Sequence, residues 1–180
     1  MPRVPRVNVP GALYHVIDRG NDRQPIFRTD HDRRDFLRRL SALACEGVLR
    51  LFAFCLLDNH FHLLVESTEK RLGQAMGRLL TGYVVAYNRR HQRVGHLFQD
   101  RFKAPLCDAE AYLLKLIRYI HLNPVRAGIV DAPGDYCWST HRAYMGRGHV
   151  PGLESEPALA LFHPALRQAR RLFDEFVNQG

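Results

Sequence analysis

The sequence predicts an α+β fold, an antiparallel sheet with helices packed against it. Three observations carry this. Four short segments show the strand pattern, with apolar residues alternating or running unbroken. Between and after them, apolar residues recur at three- and four-residue spacing, the helix pattern. The two patterns follow one another as β-α-β-β-α-β-α, and 46% of the 180 residues are hydrophobic, enough for a core in one domain.

The first strand is read in "GALYHVIDRG", 11–20, which alternates between glycines; its span is about 12–18. "RGNDRQPIF", 19–27, is a loop. Thr29 or Asp30 can cap a helix that runs to about Glu46, with Phe36, Leu40, Leu43 and Ala44 as its apolar face and Gly47 as its stop. Arg33, Arg34 and Arg38 fall largely off that face. "VLRLFAFCLL", 48–57, is a strand, "DN" a tight turn, and "HFHLLVE" a second strand antiparallel to the first. Leu72, Met76, Leu79, Tyr83 and Tyr87 mark a long helix over 69–91. A basic loop from Gly95 leads into a strand near 102–107, and a helix follows over 109–123. Pro124 disfavours helical backbone at Asn123, so this helix should end or bend there.

Pairing these strands gives a ferredoxin-like sheet with helices on one face. Residues 1–130 form the main domain. Residues 131–180 form a C-terminal extension whose last segment, "PALRQARRLFDEFVNQ", is an amphipathic helix.

Composition narrows the function. The net charge is +8, from 26 basic residues, mostly arginine, against 18 acidic ones. A guanidinium donates two parallel hydrogen bonds to a phosphate, so the excess suits nucleic acid, although a solvated basic surface has the same composition. The four cysteines, Cys45, Cys55, Cys107 and Cys137, are scattered, which argues against a zinc ribbon. Three of them lie in apolar runs and read as small buried hydrophobes of a reducing compartment. The N-terminus has no apolar signal-peptide core, and no apolar stretch approaches the roughly 18 residues of a membrane helix. A soluble cytoplasmic protein is expected.

"LLDNHFHLLVE", 56–66, places two histidines in a run that otherwise reads as buried strand. Alternation puts His60 and His62 on one face and Phe61 on the other. Two imidazoles about 7 Å apart along a strand can converge on one ion, or they can be two hydrogen-bonded core histidines. On the helix 109–123, Lys115, Tyr119 and Asn123 share a stripe beside the core stripe of Leu113, Leu116, Ile117 and Ile120. Taken singly, each reads as an ordinary amphipathic or solvated side chain.

Taken together, "YHVIDRGNDRQPIF", "LDNHFHLLVE", "NRRHQRVGHLFQDRFK", "YIHLNPVRAGIV" and "YCWST" occur in order over about residues 12–145. The set resembles the single-tyrosine HUH transposases, in particular the REP-associated tyrosine transposases. The resemblance implies an HUH-type nuclease domain over 1–130. It also implies metal ligands at His60 and His62 and a nucleophile at Tyr119. A third ligand falls at Asn123, where insertion-sequence relatives carry a glutamine one methylene longer. This chain has Asp58 where the family usually has proline, and Phe98 where tryptophan is common. The implied activity is cleavage and rejoining of single-stranded or hairpin-forming repeat DNA through a 5′-phosphotyrosine, with Mg²⁺ or Mn²⁺, by a monomer or homodimer.

The chemistry is consistent with that. A cation near the phosphate offsets the charge that repels a nucleophile. Phenols ordinarily titrate near 10, so a helper is needed, and Lys115 one turn from Tyr119 is the candidate. Arg19, Asn21, Arg23, Arg101 and Lys103 are the expected DNA contacts; the interleaved Tyr14, Phe98 and Phe102 suit base stacking, although each taken singly reads more readily as core. Two alternatives remain: a domesticated DNA-binding protein that forms no covalent adduct, and a metal-dependent hydrolase using further histidines such as His15, His121 or His141.

Overall fold

The computed structural model describes residues 9–68, 72–107 and 109–179. Four strands form one antiparallel sheet: β1 (Leu13–Arg19), β2 (Leu49–Leu57), β3 (His60–Ser67) and β4 (Leu106–Cys107), in the order β2-β3-β1-β4. The long helices are α1 (Asp30–Cys45), α2 (Leu72–Arg90) and α3 (Ala109–Arg126). The C-terminal region adds α4 (His141–Tyr144), α5 (Glu156–Ala160) and α6 (Leu166–Asn178).

The α+β sheet is as the sequence predicts. The expectation of helices on one face is not met, because both faces are covered. Tyr14, Val16, Phe61, Leu63 and Val65 pack with Phe36 and Leu40 of α1 and with Met76, Leu79 and Tyr83 of α2. Leu13, Ala53, Cys55 and Leu64 pack with Ile117 and Ile120 of α3 and Phe173 of α6. The reason lies in β2 and β3, which are apolar on both sides; a strand buried on both faces needs a layer on each. The histidine face is the α3 face.

Local signals explain the element ends. Thr29 caps α1 in a reciprocal box with Asp32, satisfying otherwise orphaned N–H groups. Gly47 follows α1 at φ 65°, where a Cβ is costly. β4 is shorter than its expected span near 102–107. Lys103 still exchanges backbone hydrogen bonds with Ile17 (2.8 and 2.9 Å), but Pro105 offers no N–H to the ladder. The start expected for α2 at residues 69–71 lies outside the described residues.

Helix α3 does not stop at Asn123. It runs through Pro124 to Arg126. The proline removes one N–H, and the turn beyond it is still closed by Ala127 N–H to Asn123 O (2.9 Å) and Ile129 N–H to Pro124 O (2.9 Å). Gly128, at φ 66°, then ends the helix.

Residues 136–154 close the free edge of β2. Leu56 N–H donates to Trp138 O (2.9 Å), Thr140 N–H to Phe54 O (3.1 Å) and Glu154 N–H to Leu51 O (2.7 Å). The Tyr136 and Tyr144 hydroxyls donate to Leu56 O (2.6 Å) and Phe52 O (2.9 Å). An exposed sheet edge invites pairing with other chains, and this segment removes it. The last helix is amphipathic as expected, with Ala169, Phe173 and Val177 buried one turn apart.

Two burial expectations are corrected. Arg33 is buried rather than off the core face of α1. Its guanidinium pairs with Asp58 and lies over the rings of Phe27 (5.7 Å) and Trp138 (5.6 Å). Of the cysteines only Cys55 is buried; Cys107 is half-buried, and Cys45 and Cys137 are exposed, all four as free thiols.

Candidate active site

Strand alternation and register assemble the site. His62 stands opposite Ile17 of β1, and His60 opposite Arg19. The two imidazoles lie side by side, with ring centroids 5.1 Å apart. Helix α3 crosses this face and brings Tyr119, 37% exposed, against His62. The Tyr119 ring meets His62 edge-on at 5.6 Å and His15 at 5.8 Å.

Each histidine of the pair has its Nδ1 held and its Nε2 available. The Asn59 amide nitrogen donates to Arg23 O (3.2 Å), which fixes the orientation of that amide. Its oxygen, which can only accept, lies 2.7 Å from His60 Nδ1. His60 therefore carries its proton on Nδ1, and the Nε2 lone pair is free. His62 Nδ1 lies 3.0 Å from His15 Nε2. His62 Nε2 is buried with no hydrogen-bond partner, and the residue is 4% exposed. Burial lowers the pKa of His62 to about 3, with smaller contributions from His15 and His60, and that of His15 to about 4. His60 is lowered as well, by burial and then by the charge of Arg19. At neutral pH all three rings are uncharged, the form that ligates metal.

The remaining expected site residues divide. Asn123 lies one turn beyond Tyr119 and donates its amide N–H to Tyr119 O (2.8 Å). Its oxygen is the atom left for a ligand role. Lys115 sits over the Tyr112 ring, 5.7 Å from its centroid, on the exposed side of α3. The cation over the Tyr119 ring is Arg126, at 5.2 Å. Arg19 lies beside the site and donates to Gln99 (2.8 Å). Asn21 and Arg23 belong to a tight loop pinned by Asn21 N–H to Leu97 O (3.0 Å), in which Asp22 and Arg23 adopt left-handed backbone at φ 49° and 59°. Gly20 before it has no room for a side chain, since a Cβ would stand 2.1 Å from Gln24 O.

Lys103 pairs with Ile17, in line with His62 across the sheet. Arg101 instead borders a groove with Phe98, Phe102 and α2 residues Gly77, Leu80 and Val84. Tyr14 and Phe102 are buried core residues, as each aromatic taken singly reads, rather than base-stacking ones, because both fall on the α2 face of the sheet.

Sequence reasoning named His15 only among the further histidines of the hydrolase alternative, not beside the His60–His62 pair. Its signal was present in "LYHVIDR", where His15 shares a strand face with Ile17 and Arg19. Among the described residues no cluster of three His, Cys, Asp or Glu side chains is placed to hold a metal. The side chains that stand together here are the His60 and His62 imidazoles, with Asn123 one turn beyond Tyr119 on α3.

In fold, the chain is similar to a solved REP-associated tyrosine transposase bound to a REP hairpin. The two are 18% identical, with a TM-score of 0.67, over 86% of this chain and 92% of that one. That likeness defines the class of architecture. The model of the IS200-like transposase family matches residues 8–123, and the chain belongs to that family. No curated protein matches it. No described helix is long and apolar enough to cross a membrane.

Proposed function

We propose that this transposase is a metal-dependent endonuclease and strand transferase for single-stranded, hairpin-forming repeat DNA, working through a 5′-phosphotyrosine on Tyr119. The observation that carries the reading is the contact of a partly exposed Tyr119 with His62, whose buried Nε2 lacks a partner. An orphaned buried nitrogen beside a second free imidazole nitrogen fits a bound cation. His60 and His62 through Nε2, with Asn123 through its amide oxygen, would hold Mg²⁺ or Mn²⁺. Such an ion supplies positive charge that polarises the scissile phosphate. His15 and Asn59 hold the two ligand rings in the required tautomer.

Tyr119 Oη attacks phosphorus, and a Tyr–O–P bond forms as the P–O3′ bond breaks. The phenolic proton passes to solvent, and the departing 3′ oxygen takes one up to become a hydroxyl. The bond energy is retained in the phosphotyrosine, so a second 3′-hydroxyl can reverse the step on another end without ATP. Single-stranded DNA suits a nucleophile fixed on a rigid helix, because an unpaired strand can bend its phosphate to the tyrosine. Arg19, Asn21, Arg23 and Lys103 border the histidine face and supply its backbone contacts, and Arg101 extends them towards α2. Residues 1–130 form the catalytic unit, and 131–180 the extension that braces its sheet, in a monomer or homodimer of the cytoplasm.

The test is a denaturing gel of protein incubated with hairpin DNA and Mn²⁺. Wild type forms a DNA–protein adduct whose mass shift maps to the peptide carrying Tyr119. Tyr119→Phe forms none, while its unfolding free energy moves by less than about 1 kcal/mol, the worth of one hydrogen bond. Tyr112→Phe, whose ring is exposed beside Lys115, reacts as wild type. An adduct in Tyr119→Phe would place the nucleophile elsewhere. No adduct in wild type with any hairpin would favour a DNA-binding protein without strand transfer.

A further inference from the structure

The passage of α3 through Pro124 brings a third residue into line with the nucleophile. Tyr119, Asn123 and Arg126 stand four and three residues apart, so they form one stripe on the helix. Had the helix ended at Asn123, Arg126 would lie in a loop with no fixed relation to Tyr119. Instead its guanidinium lies 5.2 Å from the centroid of the Tyr119 ring. Arg126 is exposed, and among the described residues no carboxylate lies within ion-pair distance of it. Two other arginines near the histidine face are committed elsewhere, Arg33 to Asp58 and Arg19 to Gln99. A cation without a counter-ion, resting on the nucleophile's ring, awaits a negative charge.

We propose that Arg126 is a catalytic residue that binds the phosphate under attack by Tyr119, a role that rests on the function proposed above. A guanidinium stacked on the phenol face keeps its planar fork beside the ring, and the fork donates two hydrogen bonds to non-bridging phosphate oxygens. Charge on those oxygens persists from substrate through the phosphotyrosine, so Arg126 serves both cleavage and rejoining. Lys115 cannot take this place, since its ammonium lies over Tyr112, on the other side of Tyr119 along the helix. A purely structural part is also open to Arg126, because a cation in the last turn of a helix favours the helix dipole. The test must separate the two.

Arg126→Met keeps an apolar stem to cover the ring but has no charge. Arg126→Lys keeps the charge at the helix end but not the fork. The measurement is single-turnover adduct formation at saturating hairpin DNA, with Mn²⁺, alongside DNA affinity and thermal melting. Arg126→Met should react about 10²–10³-fold more slowly, as when one transition-state donor is lost, with affinity held within a few-fold. Arg126→Lys should melt as wild type and recover only part of the rate.

Phosphorothioate at the scissile position gives a readout that a structural role would not move. Wild type should discriminate between the Rp and Sp isomers, and Arg126→Met should lose that discrimination. A rate for Arg126→Met close to wild type, or an unchanged thio effect, overturns the assignment. Full activity of Arg126→Lys overturns the need for the fork. If wild type itself yields no adduct, the proposed function fails first and the role of Arg126 falls with it, an outcome distinct from an active wild type with an equally active Arg126→Met.

Discussion

Replacing His15 by phenylalanine isolates the hydrogen bond behind the proposed metal-binding face. Phenylalanine keeps a flat ring where His15 stacks on His62, at 5.2 Å between centroids. It removes the Nε2 nitrogen that lies 3.0 Å from His62 Nδ1 and that accepts from it in the proposed metal-binding tautomer. His62 is 4% exposed, so water does not take over the lost bond. A buried donor left without an acceptor costs about 1–3 kcal/mol, and the depth of this one favours the upper half of that range. A second effect falls on the metal. Without His15 the His62 proton can move from Nδ1 to Nε2, the atom proposed as a ligand. Loss of such a supporting partner typically lowers metal affinity about 10–100-fold, or roughly 1.4–2.8 kcal/mol. Mn²⁺ binding followed by electron paramagnetic resonance, with urea unfolding alongside, reads both effects without requiring turnover. His15→Gln, which restores an acceptor, should recover part of the affinity. Mn²⁺ affinity within twofold of wild type in His15→Phe would refute the tautomer argument.

Three further outcomes follow from the same geometry. Lys103→Ala should reduce the salt dependence of hairpin binding by about 0.7–0.9 in the log–log slope, the worth of one phosphate contact; an unchanged slope places the strand away from Ile17 and His62. Acid should destabilise the protein. His15, His62 and His121 all have folded-state pKa values below the ordinary 6.5. The unfolded chain therefore binds protons first as pH falls through about 6.5, and stability drops by up to about 1.4 kcal/mol per pH unit per histidine, down towards pH 4 and 3 for His15 and His62. Urea midpoints that stay flat between pH 7 and 5 would contradict this. Phe173→Ala should cost about 3–5 kcal/mol, because the ring is fully buried between Tyr144 (4.9 Å) and Phe162 (5.7 Å); a smaller loss would mean that α6 docks only loosely.

The sequence by itself determined the local elements and the faces of their residues. Alternation in "HFHLLVE" put His60 and His62 on one side of a strand, and helical spacing put Tyr119 beside the core stripe of α3. Thr29 and Gly47 marked the ends of α1 because capping and left-handed backbone are local matters of one or two residues. These are short-range consequences of backbone geometry, so they can be read without knowing what each face meets.

What each face meets was decided only by the tertiary structure. His15 and His62 are 47 residues apart, and their contact depends on the β1–β3 register, which "LYHVIDR" alone does not specify. The same limit explains Tyr14 and Phe102. Both were candidates to stack on DNA, yet their side of the sheet is roofed by α2 and they became core. Arg33 read as largely off the apolar face of α1, and it is the β2–β3 turn that brings Asp58 to it and buries it. Pro124 predicted a boundary from its own steric preference, and the packing of α3 on the sheet carried the helix one turn further. That extra turn delivers Arg126 to the Tyr119 ring. Local rules fix which way a side chain points, while the partner it finds depends on long-range pairing and layer packing that no single segment encodes.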